Sequence, residues 1–93
     1  MGELTALPNI GKTLESQLAA VGIPTIADLK ATGSKEAWSR IKQMDTSAWY
    51  NRLCALEGAI RGIRKQDLPE DVKADLKAFT KEFRQKQKEQ AKK

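Results

Sequence analysis

The sequence predicts a small all-α domain of five to six helices, and three observations support this prediction. No segment alternates apolar and polar residues as a half-buried strand does, whereas every long segment repeats its apolar residues at helical spacing. Glycine or proline stands near most of the boundaries between these segments, as is typical of helix ends. The chain has 93 residues, of which 40% are hydrophobic, and this suffices for one domain with one modest core.

The first two predicted helices flank a corner with the sequence Pro-Asn-Ile-Gly. A short helix covers about Glu3–Ala6 and ends before Pro8, which cannot continue it. The second helix begins near Gly11 and stops at Gly22, because glycine readily takes the left-handed conformation that closes a helix. The face that this helix buries comprises Leu14, Leu18 and Val21.

The third and fourth predicted helices are separated by Gly33. Thr25 is the expected N-cap of the third helix, with Asp28 as its partner in a capping box. Ser34 is the expected N-cap of the fourth helix, because its hydroxyl can accept a hydrogen bond from a backbone N–H of the first turn. The apolar face of the fourth helix comprises Ala37, Trp38, Ile41 and Met44.

The fifth and sixth predicted helices carry the most regular apolar stripes. Asp45 or Ser47 is expected to open the fifth helix, whose stripe comprises Trp49, Leu53, Leu56, Ile60 and Ile63. Asp67 is expected to cap the sixth helix, with Glu70 as its capping-box partner and Pro69 in the first turn. The stripe of the sixth helix comprises Val72, Leu76, Phe79 and Phe83.

The positive charge is concentrated at the end of the sequence. The net formal charge is +5, and residues 84–93 contribute +4 of it, from five basic residues and one glutamate. We therefore predict a helical domain over residues 1–83 and a basic tail over residues 84–93, frayed or disordered at its end. This tail is the best electrostatic candidate for loose contact with nucleic acid or an acidic partner, through Arg84, Lys86 and Lys88.

A short helix, Leu-Pro-Asn-Ile-Gly and then a longer helix are typical of a helix-hairpin-helix-like unit of the SAM/HhH type. In nucleic-acid-binding versions, backbone N–H groups at the start of the second helix contact a phosphate, which here indicates Asn9, Ile10, Gly11 and Lys12. Asn9 replaces the first glycine of the usual Gly-Ile-Gly, and its side chain would occupy the space of the phosphate or cap the second helix. Two interpretations stay open: non-specific phosphate binding, or a structural corner with Ile10 in the core.

Two glycines interrupt the fifth predicted helix, at Gly58 and Gly62. Each of these glycines costs the helix about 1 kcal/mol relative to alanine. The close approach of another segment of the molecule should offset this cost. Together with Cys54 and Ala55 they give the helix a small-residue face. This face indicates either close packing of another helix of the same domain or a contact surface for a partner helix or a second copy. A monomer is expected in preference to a homodimer.

The residue types argue against catalysis. The sequence contains no histidine and one cysteine, Cys54, so it lacks Ser-His and Cys-His pairs and the usual zinc ligands. No Gly-rich phosphate loop or calcium loop is present, and we predict no enzyme activity, cofactor or metal site. No apolar stretch approaches 18 residues, which excludes a membrane-spanning helix. A single cysteine favours the reducing cytoplasm.

The order of the motifs identifies a family resemblance over residues 4–79. "LPNIGKTLESQLAAVGI", "TIADL", a helix with tryptophan, "NRLCALEGAIRGIR" and "LPEDVKADLKAF" resemble the C-terminal domain of TfoX/Sxy-type competence regulators. The resemblance implies a bacterial all-helical domain linked to genes for natural DNA uptake, where these regulators act with the cyclic-AMP receptor protein. It supplies no ligand or catalytic residues. The sequence differs in having Lys65 where the family pattern has tryptophan, and it does not include the regulators' N-terminal domain.

These observations together predict a non-enzymatic regulatory or adaptor domain that acts through protein–protein contacts in the transcription machinery. Weak, non-specific DNA binding through the hairpin and the tail is the first alternative. A homodimeric structural module built on the small-residue face is the second.

Overall fold

The computed structural model describes the backbone of residues 3–91 and the side chains of residues 3–86. The described residues form five α-helices and two 3-10 turns, and no strand occurs among them. The first turn covers Glu3–Ala6 and the second covers Lys65–Asp67. The helices are α1 (Lys12–Ala20), α2 (Ile26–Thr32), α3 (Ser34–Met44), α4 (Tyr50–Arg61) and α5 (Glu70–Ala91). The all-α prediction is therefore confirmed. The helix-hairpin-helix-like unit stays a prediction, because its first arm is a single 3-10 turn.

Two of the predicted helix ends are confirmed. Gly22 has a φ of 85° and closes α1, with the Ile23 N–H donating to the Leu18 carbonyl at 2.8 Å. Thr25 caps α2, because its side-chain oxygen accepts from the Asp28 N–H at 3.0 Å. Local sequence signals of this kind work because all the groups involved lie within one helical turn.

The caps predicted for the later helices are wrong. Gly33 rather than Ser34 precedes α3, and the Ser34 hydroxyl instead donates to Glu57 at 2.6 Å, which ties α3 to α4. Asp45 and Ser47 bond to each other in the turn before α4, which starts only at Tyr50. Asp67 lies in the second 3-10 turn, three residues before α5. For Ser34, Asp45 and Ser47, a tertiary or turn contact takes the side chain that the local pattern assigns to a cap.

The core lies where α3, α4 and α5 meet. Trp38 of α3 is fully buried, and its ring packs edge-on against Phe79 and Phe83 of α5, with ring centroids 5.8 and 5.0 Å apart. Leu53 and Leu56 of α4 are also fully buried. The remaining large side chains with almost no exposure are Leu4, Leu18, Ile23, Leu29, Ile41 and Leu76. The apolar stripes of the sequence thus supply the core at most positions.

Two apolar residues of the predicted stripes stay exposed instead. Met44 is 50% exposed and Trp49 is 41% exposed. Trp49 differs from the prediction because it stands before the first turn of α4, in extended backbone conformation, and so does not continue the helical face. The indole N–H of Trp38 donates to the Trp49 carbonyl at 3.2 Å, which fixes the Trp49 backbone.

Helix α5 continues without a break across position 83 as far as Ala91. The residues predicted as a separate tail thus begin as an extension of this helix. The division into a domain over residues 1–83 and a frayed tail over residues 84–93 stays a prediction, and Lys92 and Lys93 lie outside the described residues.

Candidate functional site

The Pro-Asn-Ile-Gly corner is anchored to the far end of α4 by the Asn9 side chain. The Asn9 amide nitrogen donates to the Ile63 carbonyl at 3.0 Å and, more weakly, to the Ala55 carbonyl at 3.4 Å. The Asn9 side-chain oxygen accepts from the Lys65 N–H at 3.1 Å. Asn9 has a φ of 71°, a conformation that asparagine adopts more readily than most residues. The corner is therefore fastened to α4, and Asn9 does not cap α1, which has Gly11 in that position without a side-chain cap.

Gly58 makes this anchor possible. A Cβ atom built at position 58 would lie 2.6 Å from the Asn9 amide nitrogen and 2.8 Å from the Ile63 carbonyl oxygen. Gly62 has a different role, because its φ of 77° closes α4 in the left-handed conformation. The close approach that the sequence predicts at Gly58 is thus made by Asn9 of the hairpin corner and by the backbone turn after α4, rather than by another helix.

The predicted small-residue face lies mainly inside the domain. Cys54, Ala55 and Gly58 are buried, whereas Gly62 is exposed at the end of α4. The sequence left internal packing and a partner surface open for these residues, and their burial favours internal packing. A partner that approaches the folded domain meets other side chains first.

The four predicted hairpin residues differ in their exposure to solvent. Ile10 is buried, with 6% of its surface exposed, whereas Gly11 and Lys12 are exposed at the start of α1. Because the Asn9 side chain points towards α4, it leaves the outer side of the corner open. We call the adjoining depression the hairpin groove; its volume is about 620 Å³, and its basic lining residues are Lys12, Arg52 and Lys65.

Asp45 neutralises one of these basic residues. The Arg52 guanidinium lies 2.8 Å from the Asp45 carboxylate, which also accepts from the Gln17 amide at 2.7 Å. Hydrogen bonds from Ser47, Arg52 and Gln17 hold the pKa of Asp45 well below its usual range. The positive charge that the hairpin groove presents to solvent therefore comes mainly from Lys12 and Lys65.

A second depression lies between the start of α4 and α5. We call it the Trp49 groove; its volume is about 270 Å³, and it is lined by Trp49, Tyr50, Lys77, Thr80, Lys81 and Arg84. Three of these six residues are basic, and no acidic residue lines the groove. Trp49 also lines the hairpin groove, so the two depressions adjoin at this ring.

Two basic side chains, Lys42 of α3 and Arg84 of α5, contact the Trp49 ring. The Lys42 ammonium lies 3.2 Å from the ring centroid and also donates to the Thr46 carbonyl, and the Arg84 guanidinium lies 4.7 Å from the centroid. Burial lowers the pKa of Lys42, and the nearby Arg84 lowers it further. Both contacts give the exposed ring a fixed position.

A third depression, beside the start of α3, is lined by more acidic than basic side chains. Its volume is about 720 Å³, and its charged lining residues are Lys35, Glu36, Glu57, Arg61, Asp71 and Asp75. Although burial opposes it, hydrogen bonds from Ser34 and Arg61 lower the pKa of Glu57. The acidic side chains of this depression contrast with the basic lining of the other two. Charge is thus separated over the surface of a domain whose first 83 residues are nearly neutral in sum.

The three residues predicted as tail contacts differ in where the structure places them. Arg84 belongs to the Trp49 groove, Lys86 is exposed further along α5, and the Lys88 side chain lies outside the described residues. The sequence analysis did not predict that Trp49 is exposed. It also did not single out Lys77 and Lys81, although these two residues and Arg84 repeat at helical spacing and form a basic stripe on α5.

Two further observations restrict the kind of site. Among residues 3–86, no group of three or more histidine, cysteine, aspartate or glutamate side chains is arranged to hold a metal ion. Within the described part of the chain, no helix has both the length and the apolar character that crossing a bilayer requires.

Comparison with known proteins gives the family. Residues 1–80 match the TfoX C-terminal domain. Protein Sxy of Escherichia coli K12 is 39% identical over 66 residues, which cover 71% of this chain and 32% of Sxy. The chain therefore spans about a third of the length of this relative.

Solved structures show the same fold. An uncharacterized protein from Listeria monocytogenes, in a triclinic crystal form, has a TM-score of 0.85 and 48% identity, covering 87% of this chain and 92% of that chain. A tetragonal form of a Listeria monocytogenes protein of unknown function has a TM-score of 0.84 at 48% identity, covering 87% of this chain and 99% of that one. The resemblance read from the sequence motifs is confirmed, and this chain belongs to the TfoX C-terminal domain family.

Proposed function

We propose that this chain is a non-enzymatic regulatory domain that acts through protein–protein contacts in the transcription machinery. The observation that carries the proposal is the exposed Trp49 ring, fixed by Lys42 and Arg84 between two adjoining grooves. Exposed aromatic residues with a rigid position are enriched at the energetic centres of protein interfaces. A surface of this kind suits an adaptor.

The composition supports a role without catalysis. The sequence has no histidine, and its one cysteine, Cys54, is buried in α4 and thus poorly placed to act as a nucleophile. The same buried thiol favours a reducing compartment, and we place the domain in the bacterial cytoplasm, where transcription takes place.

We further propose that the pathway is the regulation of genes for DNA uptake, together with the cyclic-AMP receptor protein. The support is membership of the TfoX C-terminal domain family and 39% identity to Sxy. The chain covers 32% of Sxy, so the proposal concerns the share of that activity that the matching third of Sxy provides.

A domain exchange tests this proposal. The matching third of Escherichia coli Sxy is replaced by this chain, and transcription of a DNA-uptake gene is measured with a reporter in a strain without its own Sxy. The chimera should restore expression, and Trp49→Ala should reduce it, whereas Lys30→Ala on exposed α2 should not. A chimera that accumulates to the level of Sxy but leaves the reporter silent would contradict the proposal.

Weak, non-specific DNA binding is the second candidate function. It is favoured by the hairpin groove, where Lys12 and Lys65 flank the exposed backbone of Gly11 and no acidic residue lines the depression. Backbone N–H groups at a helix start and nearby lysines are the usual partners of phosphate.

A salt titration tests the second candidate. Duplex binding should decrease with log salt by a slope of about 0.9 for each phosphate neutralised. Lys12→Glu and Lys65→Glu should abolish binding if the hairpin groove is the site, whereas Arg84→Gln with Lys86→Gln should abolish it if helix α5 is responsible. Undetectable binding at low salt by the unaltered chain would exclude DNA as the ligand.

A further inference from the structure

The Trp49 groove has the composition of a site for one chemical class of partner. It is lined by two aromatic residues, Trp49 and Tyr50, by three basic residues, Lys77, Lys81 and Arg84, and by Thr80. A lining of aromatic and basic side chains complements a ligand that carries both an apolar group and negative charges.

The three basic side chains that line the groove repel one another when no ligand is bound. Lys77 and Lys81 stand four residues apart on α5, and like charges at this spacing destabilise a helix. Arg84 follows three residues after Lys81 on the same side of the helix. No acidic side chain lines the groove to offset this repulsion, so a bound carboxylate would relieve it.

The two aromatic side chains of the groove have contacts within the domain that hold them in place. Lys42 and Arg84 contact the Trp49 ring, and the Tyr50 hydroxyl donates to the Lys73 carbonyl of α5 at 3.4 Å. Side chains that are fixed in advance lose little conformational entropy on binding, which favours affinity. The groove is therefore prepared for a ligand rather than shaped by it.

Two features favour a protein segment over a nucleic acid in this groove. Lys42 and Arg84 lie 3.2 and 4.7 Å from the Trp49 ring centroid and restrict the flat face that a stacked base needs, whereas an apolar side chain can pack against the edge of the ring. A depression of about 270 Å³ also fits a single large apolar side chain better than a duplex backbone. The chemistry therefore points to a peptide.

We propose that the Trp49 groove binds an acidic protein segment, which inserts an apolar side chain between Trp49 and Tyr50 and pairs its carboxylates with Lys77, Lys81 and Arg84. This inference rests on the proposed function, because it names the partner class of the proposed adaptor surface. It assigns no role to the hairpin groove.

The test uses the full chain and synthetic probes, with the two tryptophan indole N–H signals observed by NMR. The first probe is a short peptide of aspartate and glutamate with a central leucine and phenylalanine. The second is an all-acidic peptide of the same charge, and the third is a short DNA duplex. The Trp38 indole is fully buried but its N–H donates to the Trp49 carbonyl, so its signal is expected to respond less than that of Trp49 rather than not at all.

The first peptide should shift the Trp49 signal more than the Trp38 signal. The all-acidic peptide should bind about tenfold more weakly, since an apolar side chain excluded from water is worth about this factor. Lys77→Glu with Lys81→Glu should weaken binding about tenfold or more, through loss of two ion pairs and added repulsion. Lys30→Glu is the matched charge control, because Lys30 is exposed on α2. Circular dichroism checks that each variant stays folded.

Three outcomes would overturn the inference. The first is no Trp49 shift with any peptide; the second is a shift with the DNA duplex alone. The third is concentration-dependent self-association that Lys77→Glu abolishes, which would make the acidic depression of a second copy the occupant. If the Sxy chimera is active while the peptides fail, only this inference fails. If the peptide binds while the chimera is silent, the proposed function fails instead.

Discussion

Replacing Gly58 by alanine is expected to destabilise the domain, although alanine normally favours a helix interior. The added Cβ atom would lie 2.6 Å from the Asn9 amide nitrogen, 2.8 Å from the Ile63 carbonyl oxygen and 3.2 Å from the Lys65 backbone nitrogen. Contacts under 3.0 Å require a movement, and the Ile63 carbonyl belongs to the backbone of the turn after α4. Both the Asn9 side chain and this turn must therefore shift.

The expected cost follows from the bonds that this shift breaks. The two hydrogen bonds of ordinary length join Asn9 to Ile63 at 3.0 Å and to Lys65 at 3.1 Å. Their loss costs about 1–3 kcal/mol, and displacement of the turn adds about 1 kcal/mol. The higher helix propensity of alanine offsets about 1 kcal/mol. We expect the free energy of unfolding to decrease by about 1–3 kcal/mol.

Urea unfolding of four proteins measures this effect: the unaltered chain, Gly58→Ala, Asn9→Gly and the double variant. Asn9→Gly removes the side chain but still permits the φ of 71°. Because the two changes disrupt the same bonds, the double variant should lose about 1 kcal/mol less than the sum of the single losses. Asn51→Ala, at an exposed position of α4, controls for helix propensity.

Two results would refute the reasoning about the anchor. One is a Gly58→Ala variant as stable as the unaltered chain or more stable than it. The other is a double variant whose loss equals the sum of the single losses, since that would mean that Asn9 and Gly58 act independently.

Three further outcomes are expected. Because Asp45 has a lowered pKa, its stabilising effect should be present above pH of about 4 and decrease below it, so urea unfolding should show the difference from Asp45→Asn shrinking in acid. Burial raises the pKa of Tyr50, the single tyrosine, to about 12, so its phenolate absorbance should appear near that pH, and stability should fall as pH rises from about 10. Trp38→Ala should cost about 3–5 kcal/mol in thermal or urea unfolding, because the ring is fully buried.

The parts of the fold that depend on neighbouring residues were predictable. The Gly22 stop, the Thr25 cap and most of the apolar stripes use contacts within one or two turns, and the structure contains them. Ser34 could not be assigned in this way, because its partner Glu57 is 23 residues distant in the chain. Asp45 forms a local turn with Ser47 instead of a cap, and its contact with Gln17, 28 residues distant, could not be read from the local pattern.

The candidate site was predictable only as a set of residue types. The sequence analysis predicted that Arg84 belongs to a basic tail, but not that its guanidinium lies over the Trp49 ring. That contact depends on the point at which α4 begins, and the predicted caps placed it too early. An error of a few residues at a helix start thus turned an exposed aromatic side chain into an expected core residue.

The Asn9 anchor also determines an order of events during synthesis on the ribosome. Its three partners lie 46, 54 and 56 residues further along the chain. Since a nascent chain emerges from its N-terminus, the bond to Lys65 cannot form until position 65 has left the ribosome. Until then the Asn9 anchor is incomplete, and a translational pause placed before that point would prolong this stage.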